Sequence, residues 1–326
     1  MKILVLAAGS VGSVLGARLA EAGHDVELVA RPDHVAAMRA DGLRVEGHRP
    51  GIFRVRAFDD LARADDPDLA LLTAKTFDLV TVAGALGRRF PRLPPTLLPQ
   101  NGLRIEVPVR AALVASGAAD ADRSLARAVT FLGAMLVRPG VVRQVGDGTL
   151  VFADPAKGGP AAAATRTFLE LFAGTTVRAK VVPDLERELW RKALMNAAIN
   201  PITALNGVTN GRLLEEPYRA AAVRLLREAQ QAAAAAGYEI PNAEADGELD
   251  RVLRETAENR SSMLQDWERG RPTEVDAISG EILRVAEAHH IDLPETRAVI
   301  GRLHARGPSS TARAQPSYEA GPASGR

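Results

Sequence analysis

The strongest constraint lies at the N-terminus. Lys2–Ala7 is a nearly unbroken apolar run, and the turn Ala7-Ala8-Gly9-Ser10-Val11-Gly12 follows it directly. A short apolar run without alternation is what a strand buried on both faces shows. Val11–Ala22 then reads as a helix, and Gly23 ends it. A strand, a glycine turn and a helix in that order open a βαβ unit.

The same alternation continues. Asp25–Arg31 reads as a strand, Pro32 opens a helix and Gly42 closes it. Leu43–Val45, Phe53–Phe58, Asp68–Ala74 and Thr96–Pro99 are further strand candidates. Ala128–Leu136, Val141–Val145 and Thr149–Phe152 are β-rich, and Gly146-Asp147-Gly148 predicts a hairpin between the last two. One more helix and the strand Thr176–Val182 bring the chain to Pro183. Beyond it, Leu185–Ala204, Ala220–Ala236, Ala245–Asn259 and Val275–Ala288 are rich in Ala, Leu, Glu and Arg and predict helices. The expected class is α/β: an N-terminal Rossmann-type doubly wound parallel sheet domain over 1–182 and an all-α C-terminal domain over 183–305. Residues 306–326, rich in Pro, Gly, Ser and Ala, are expected to form a disordered tail.

Composition excludes several classes. A chain of 326 residues is long for one core and comfortable for two. A net charge of +1 argues against a nucleic-acid or membrane-surface protein. No apolar run reaches the ~18 residues of a membrane span, and no signal peptide is expected after Met1-Lys2. Cysteine is absent, which removes disulfides, thiol catalysis and zinc–thiolate sites. Of six His only His289 and His290 adjoin, and neighbours do not share a helix face, so no metal site is expected. The expected compartment is the cytoplasm; the oligomeric state is not readable, which leaves room for a homodimer.

The glycine turn is a candidate phosphate site. Gly9 would let a pyrophosphate approach the backbone, Gly12 would let the helix pack on the strand, and the helix start offers free N–H groups and a positive dipole end. Ala8, Gly9, Ser10, Val11 and Gly12 are therefore the candidate dinucleotide loop, with Ala7 where the usual pattern has its first Gly. An NAD enzyme usually carries an acid at the end of the second strand. Here Ala30-Arg31 stands there, and a guanidinium suits a 2′-phosphate, which favours NADP.

Lys192, Asn196 and Asn200 are spaced i, i+4, i+8 and share one helix face in an otherwise mostly apolar stretch. Buried ammonium and amide groups need partners. Either a bound polar substrate or a structural network supplies them. Asn206-Gly207-Val208-Thr209-Asn210-Gly211, Glu258–Asp266 and Arg271–Asp276 are further polar segments that admit turn or capping roles.

In combination these pieces resemble the ketopantoate reductase family. The resemblance rests on the N-terminal turn, Thr73-Ala74-Lys75, Gln100-Asn101-Gly102, and Glu188-Leu189-Trp190-Arg191-Lys192 with Asn196 and Asn200-Pro201. It continues through Glu258-Asn259-Arg260-Ser261-Ser262-Met263-Leu264-Gln265-Asp266 and Thr273-Glu274, and runs to about residue 300. It implies reduction of a small-molecule 2-oxo acid, ketopantoate, by NADPH. It implies Lys192 as the general acid with Glu274 near it, and Asn196, Asn200, Asn210 and Ser262 as hydrogen-bond partners of the substrate. Lys75 and Asn101 would lie near the nicotinamide, and Arg31 would hold the 2′-phosphate. Lysine's reference pKa near 10.4 would keep such an acid protonated at neutral pH. A reductase of another 2-oxo acid and a non-catalytic NADP sensor are the alternatives; Lys192 and Glu274 argue against the sensor.

Overall fold

The computed structural model describes residues 1–306. Apart from Arg306, the segment expected to be a tail lies outside the described residues. The chain divides between Leu185 and Glu186 into two compact units, and Asn101–Leu103 group with the second.

The first unit is built on one ten-stranded sheet. In chain order its elements are β1 Lys2–Leu6, α1 Ser10–Glu21, β2 Asp25–Val29, α2 Pro32–Asp41, β3 Leu43–Gly47, β4 Gly51–Phe53 and β5 Arg56–Phe58. There follow β6 Leu69–Leu72, α3 Leu79–Arg89, β7 Thr96–Leu98, α4 Glu106–Ala115 and the single turn α5 Ala121–Ser124. The unit ends with β8 Leu125–Arg138, β9 Val141–Ala153, α6 Ala162–Ala173 and β10 Arg178–Val182. Strands β5, β2, β1, β6, β7 and β8 run parallel in that spatial order. β9 returns antiparallel to β8, and β3 and β10 lie parallel to β9. The sheet is therefore mixed, with a Rossmann-like parallel half.

β1 shows why its sequence does not alternate. Ile3 and Val5 join one apolar layer with Val14, Leu15 and Leu19 of α1 and Phe168 of α6. Leu4 and Leu6 join the opposite layer with Val82 and Leu86 of α3 and Val109 of α4. Helices cover both faces, so both faces must be apolar.

Two local expectations are corrected. Phe53–Phe58 is not one strand: β4 pairs antiparallel with β3 and β5 pairs parallel with β2, so its two ends serve different neighbours. The hairpin turn is at Pro139-Gly140, not at Gly146-Asp147-Gly148. Between the Phe131–Thr149 and Gly133–Val145 pairs, β8 has only Leu132 while β9 has those three residues. Gly146 and Gly148 take φ of 70° and 82°, which bulges the strand without reversing it.

The second unit is helical: α7 Leu185–Asn206, α8 Tyr218–Ala235, α9 Asn242–Glu255, α10 Ser262–Glu268, α11 Glu281–Ala288 and α12 Pro294–Arg306. A π-helical turn, Asp276–Gly280, leads into α11. Among the described residues no helix is long and apolar enough to cross a membrane.

Candidate functional site

In the first unit the glycine turn caps α1. Ala7 takes φ 60°, a left-handed conformation, and Gly9 is the N-cap. The Ala8 amide donates to Val29 O at 2.8 Å and the Gly9 amide to Ala7 O at 2.8 Å. Ala8 therefore shapes the loop and ties it to β2, and the amides of Ser10, Val11 and Gly12 are the ones without an acceptor inside the helix. The first turn of α1 carries no acid. A β-carbon on Gly9 would meet only Ala7 O, at 4.0 Å, so the backbone is open to a ligand there. Gly12 differs: its β-carbon would lie 2.2 Å from Thr73 Oγ1. This loop fits a pyrophosphate in shape and polarity.

Arg31 is the N-cap of α2 and is exposed. It follows Ala30, whose amide donates to Phe58 O at 2.9 Å. Lys75 is half-buried beyond the end of β6. Gln100 Nε2 donates to Leu72 O, and to Ala74 O at 3.2 Å, so Gln100 braces the backbone that leads to Lys75. Gln100 Oε1 and Asn101 Oδ1 are buried without a hydrogen-bond partner among the described residues. The sequence paired the two amides but could not say which would be the brace.

In the second unit Lys192, Asn196 and Asn200 sit on α7. Leu189, Trp190, Ala193, Leu194, Met195, Ala197, Ala198 and Ile199 around them are buried. Lys192 and Asn196 are half-buried and Asn200 is buried. No described protein group hydrogen-bonds the side-chain amide of Asn196 or Asn200. Lys192 keeps part of its surface accessible, yet the surrounding protein strips water from its ammonium and lowers its pKa to about 7. The reference value that sequence alone supplies does not hold in this setting.

Pro201 interrupts the backbone ladder of α7. Two residues on, the Thr203 hydroxyl lies 3.1 Å from Ile199 O, 2.9 Å from Asn200 O and 2.7 Å from Ser261 Oγ. Ser261 in turn caps α10 by accepting from the Leu264 amide at 3.1 Å. Of the twin serines, Ser261 is buried and Ser262 is exposed at the first position of α10. Asn210 donates through its amide to Asn259 O at 3.0 Å and through Nδ2 to Thr256 Oγ1 at 2.9 Å. Its Oδ1 is buried without a partner among the described residues. Asn210 is thus bonded to the segment that leads into Ser262. Glu274 is half-buried in the bend before the π turn, and its carbonyl accepts from the Ile278 amide at 3.2 Å.

A glycine loop at the head of a parallel sheet and a lysine–amide stripe on a buried helix define an α/β oxidoreductase with a helical second unit. The chain belongs to the ketopantoate reductase family: the PanE/ApbA model matches residues 3–157 and its C-terminal companion residues 184–307. It is 34% identical over 300 residues to a 2-dehydropantoate 2-reductase of Archaeoglobus fulgidus, covering 92% of this chain and 95% of that protein. A 2-dehydropantoate 2-reductase of Halobacterium salinarum is 32% identical, with 92% and 96% covered. Among solved structures, a PanE/ApbA family ketopantoate reductase from Ralstonia eutropha JMP134 superposes with a TM-score of 0.81 at 30% identity, over 94% of this chain and 98% of that one.

Proposed function

We propose that this chain is a cytosolic, NADPH-dependent 2-dehydropantoate 2-reductase. The observation that carries the reading is the α7 stripe. A lysine with its pKa lowered to about 7 shares one helix face with two amides that no described protein group satisfies. A general acid works best when its pKa lies near the working pH. A substrate carboxylate and hydroxyl would supply the acceptors and donors that Asn196, Asn200 and the buried Asn210 Oδ1 leave unused.

Ser10, Val11 and Gly12 would hold the pyrophosphate through their amides, beside Ala8 and Gly9, and Arg31 would hold the 2′-phosphate. Lys75 and Asn101 would line the nicotinamide end. A bound reduced nicotinamide supplies the hydride. Lys192 stabilises the negative charge that develops on the ketone oxygen and gives that oxygen its Nζ proton. Asn196, Asn200, Asn210 and Ser262 fix the substrate, and Glu274 helps to bind it. The product is the 2-hydroxy acid, and the lysine regains its proton from water.

The test is oxidation of NADPH, followed by absorbance, with a panel of 2-oxo acids that includes ketopantoate. Preferred turnover of ketopantoate that collapses in Lys192→Ala supports the reading. Clear preference for another 2-oxo acid overturns the substrate assignment. NADPH binding without any turnover overturns the enzyme assignment.

A further inference from the structure

We propose that His34 is a positioning residue for the 2′-phosphate of the dinucleotide, fixing the Arg31-bearing start of α2 against the first turns of α1. The proposal rests on the NADP reading of Arg31 given above.

His34 is 2% exposed and bridges three elements. Its Nδ1 accepts from the Gly140 amide at 2.8 Å, in the turn between β8 and β9. An Nδ1 that accepts leaves the ring hydrogen on Nε2, and Nε2 lies 3.0 Å from Ser13 Oγ. Ser13 is fully buried on α1, one residue past Gly12, and its hydroxyl reaches toward Ala8 O at 3.5 Å. His34 stands one helical turn after Arg31 on α2. The β8–β9 turn presses on the same helix: a β-carbon on Gly140 would lie 2.8 Å from Ala37 Cβ. Burial holds the imidazole below its ordinary pKa, against the weaker opposing pull of Asp33, so the neutral bridge is the stable form at neutral pH.

The chemistry selects histidine. The position needs an acceptor facing one element and a donor facing another, across the width of a ring. Neutral imidazole has both. Leucine would leave the Gly140 amide buried without its acceptor and the Ser13 hydroxyl with only its long contact to Ala8 O.

The consequence falls on specificity. A 2′-phosphorylated dinucleotide makes two anchored contacts in this unit, its pyrophosphate on the α1 amides and its 2′-phosphate on Arg31. The distance between those anchors is bounded by the short ribose link that joins them in the ligand. If α2 drifts relative to α1, both cannot be satisfied together, and affinity falls for the phosphorylated cofactor alone. A dinucleotide without the 2′-phosphate keeps its α1 contact.

The experiment is a titration of the full chain with NADP+ and with NAD+, for wild type, Arg31→Ala, Ser13→Ala, His34→Asn and His34→Leu. Near-UV circular dichroism identifies the folded variants. The expected result for His34→Leu is roughly 10-fold weaker NADP+ binding with NAD+ binding changed less than about 2-fold, the scale of one or two lost hydrogen bonds. His34→Asn keeps an acceptor for Gly140 and loses Ser13, so it and Ser13→Ala should show the same selective loss in smaller degree. These two carry the test if His34→Leu does not fold. Equal weakening of both cofactors, or no change in either while Arg31→Ala abolishes the preference for NADP+, overturns the positioning role and leaves the NADP reading standing. If Arg31→Ala itself leaves NADP+ binding unchanged, the NADP reading fails and takes the proposal with it.

Discussion

The missing side chain of Gly12 is what lets α1 lie against Thr73: a β-carbon there would sit 2.2 Å from Thr73 Oγ1 and 3.1 Å from Val5 Cγ1. Thr73 cannot easily turn away, because its hydroxyl donates to Leu6 O at 3.0 Å and lies 3.3 Å from Ala7 O. Gly12→Ala should therefore shift the head of α1 and destabilise the fold by about 1–3 kcal/mol, the usual cost of overpacking. It should also weaken dinucleotide binding. Urea unfolding and cofactor titration on the same sample check both; wild-type stability would remove the packing argument.

Ala7 makes the opposite case. It holds φ 60° where a glycine would be unstrained. Ala7→Gly should stabilise the protein by about 0.5–1 kcal/mol, the relief of left-handed strain less the entropy of a freer unfolded chain. A lower urea midpoint in Ala7→Gly would show that the turn carries no strain to relieve.

The parallel half of the sheet was legible because punctuation and packing agree. Gly9, Pro32 and Gly42 bracket α1 and α2 at the places the local sequence indicates. The β8–β9 turn was not legible, since Gly-Asp-Gly has the composition of a hairpin and of a bulge alike. Only the partner strand's register decides between them. That Lys192, Asn196 and Asn200 share a face follows from helical periodicity. The depressed pKa of Lys192 does not, because it comes from tertiary burial. His34 escaped notice for the same reason: its partners Ser13 and Gly140 are 21 and 106 residues away in the chain.

Lys192 gives two pH predictions. If the protonated ammonium is the acid, kcat/KM for keto-acid reduction should be highest below the folded pKa and fall as pH rises through about 7. Lys192→Ala should lose roughly 10²–10⁴-fold. The sign for stability is the reverse. The unfolded lysine, with its ordinary pKa of 10.5, binds more protons than the folded one, so this residue makes stability rise with pH between about 7 and 10.5. Lys192→Met should flatten that rise, as measured by urea midpoints across the window. An unchanged slope would mean that Lys192 titrates normally in the fold.

Asn200 should separate substrate from cofactor. It is buried on α7 and no described protein group bonds its amide. Asn200→Ala should raise the KM for the keto acid by roughly 10–100-fold, the scale of a lost hydrogen bond to a charged group. The dinucleotide dissociation constant should stay within about 2-fold, well under 1.4 kcal/mol. A KM that did not move would place the carboxylate elsewhere.

Thr203 and Ser261 join α7 to α10 at 2.7 Å, both buried, and Ser261 also accepts from the Leu264 amide. Thr203→Val keeps the shape and removes the hydroxyl, which leaves the Ser261 hydroxyl without its partner and frees the Ile199 and Asn200 carbonyls from their second donor. A loss of about 1–3 kcal/mol is expected. Ser261→Ala loses the same link together with the helix cap, at about 0.5–2 kcal/mol for the cap. Because the two variants break one shared bond, the double variant should cost less than the sum of the singles, by about 0.5–3 kcal/mol. Additive losses would mean that Thr203 and Ser261 act independently, and that their shared bond does not couple α7 to α10.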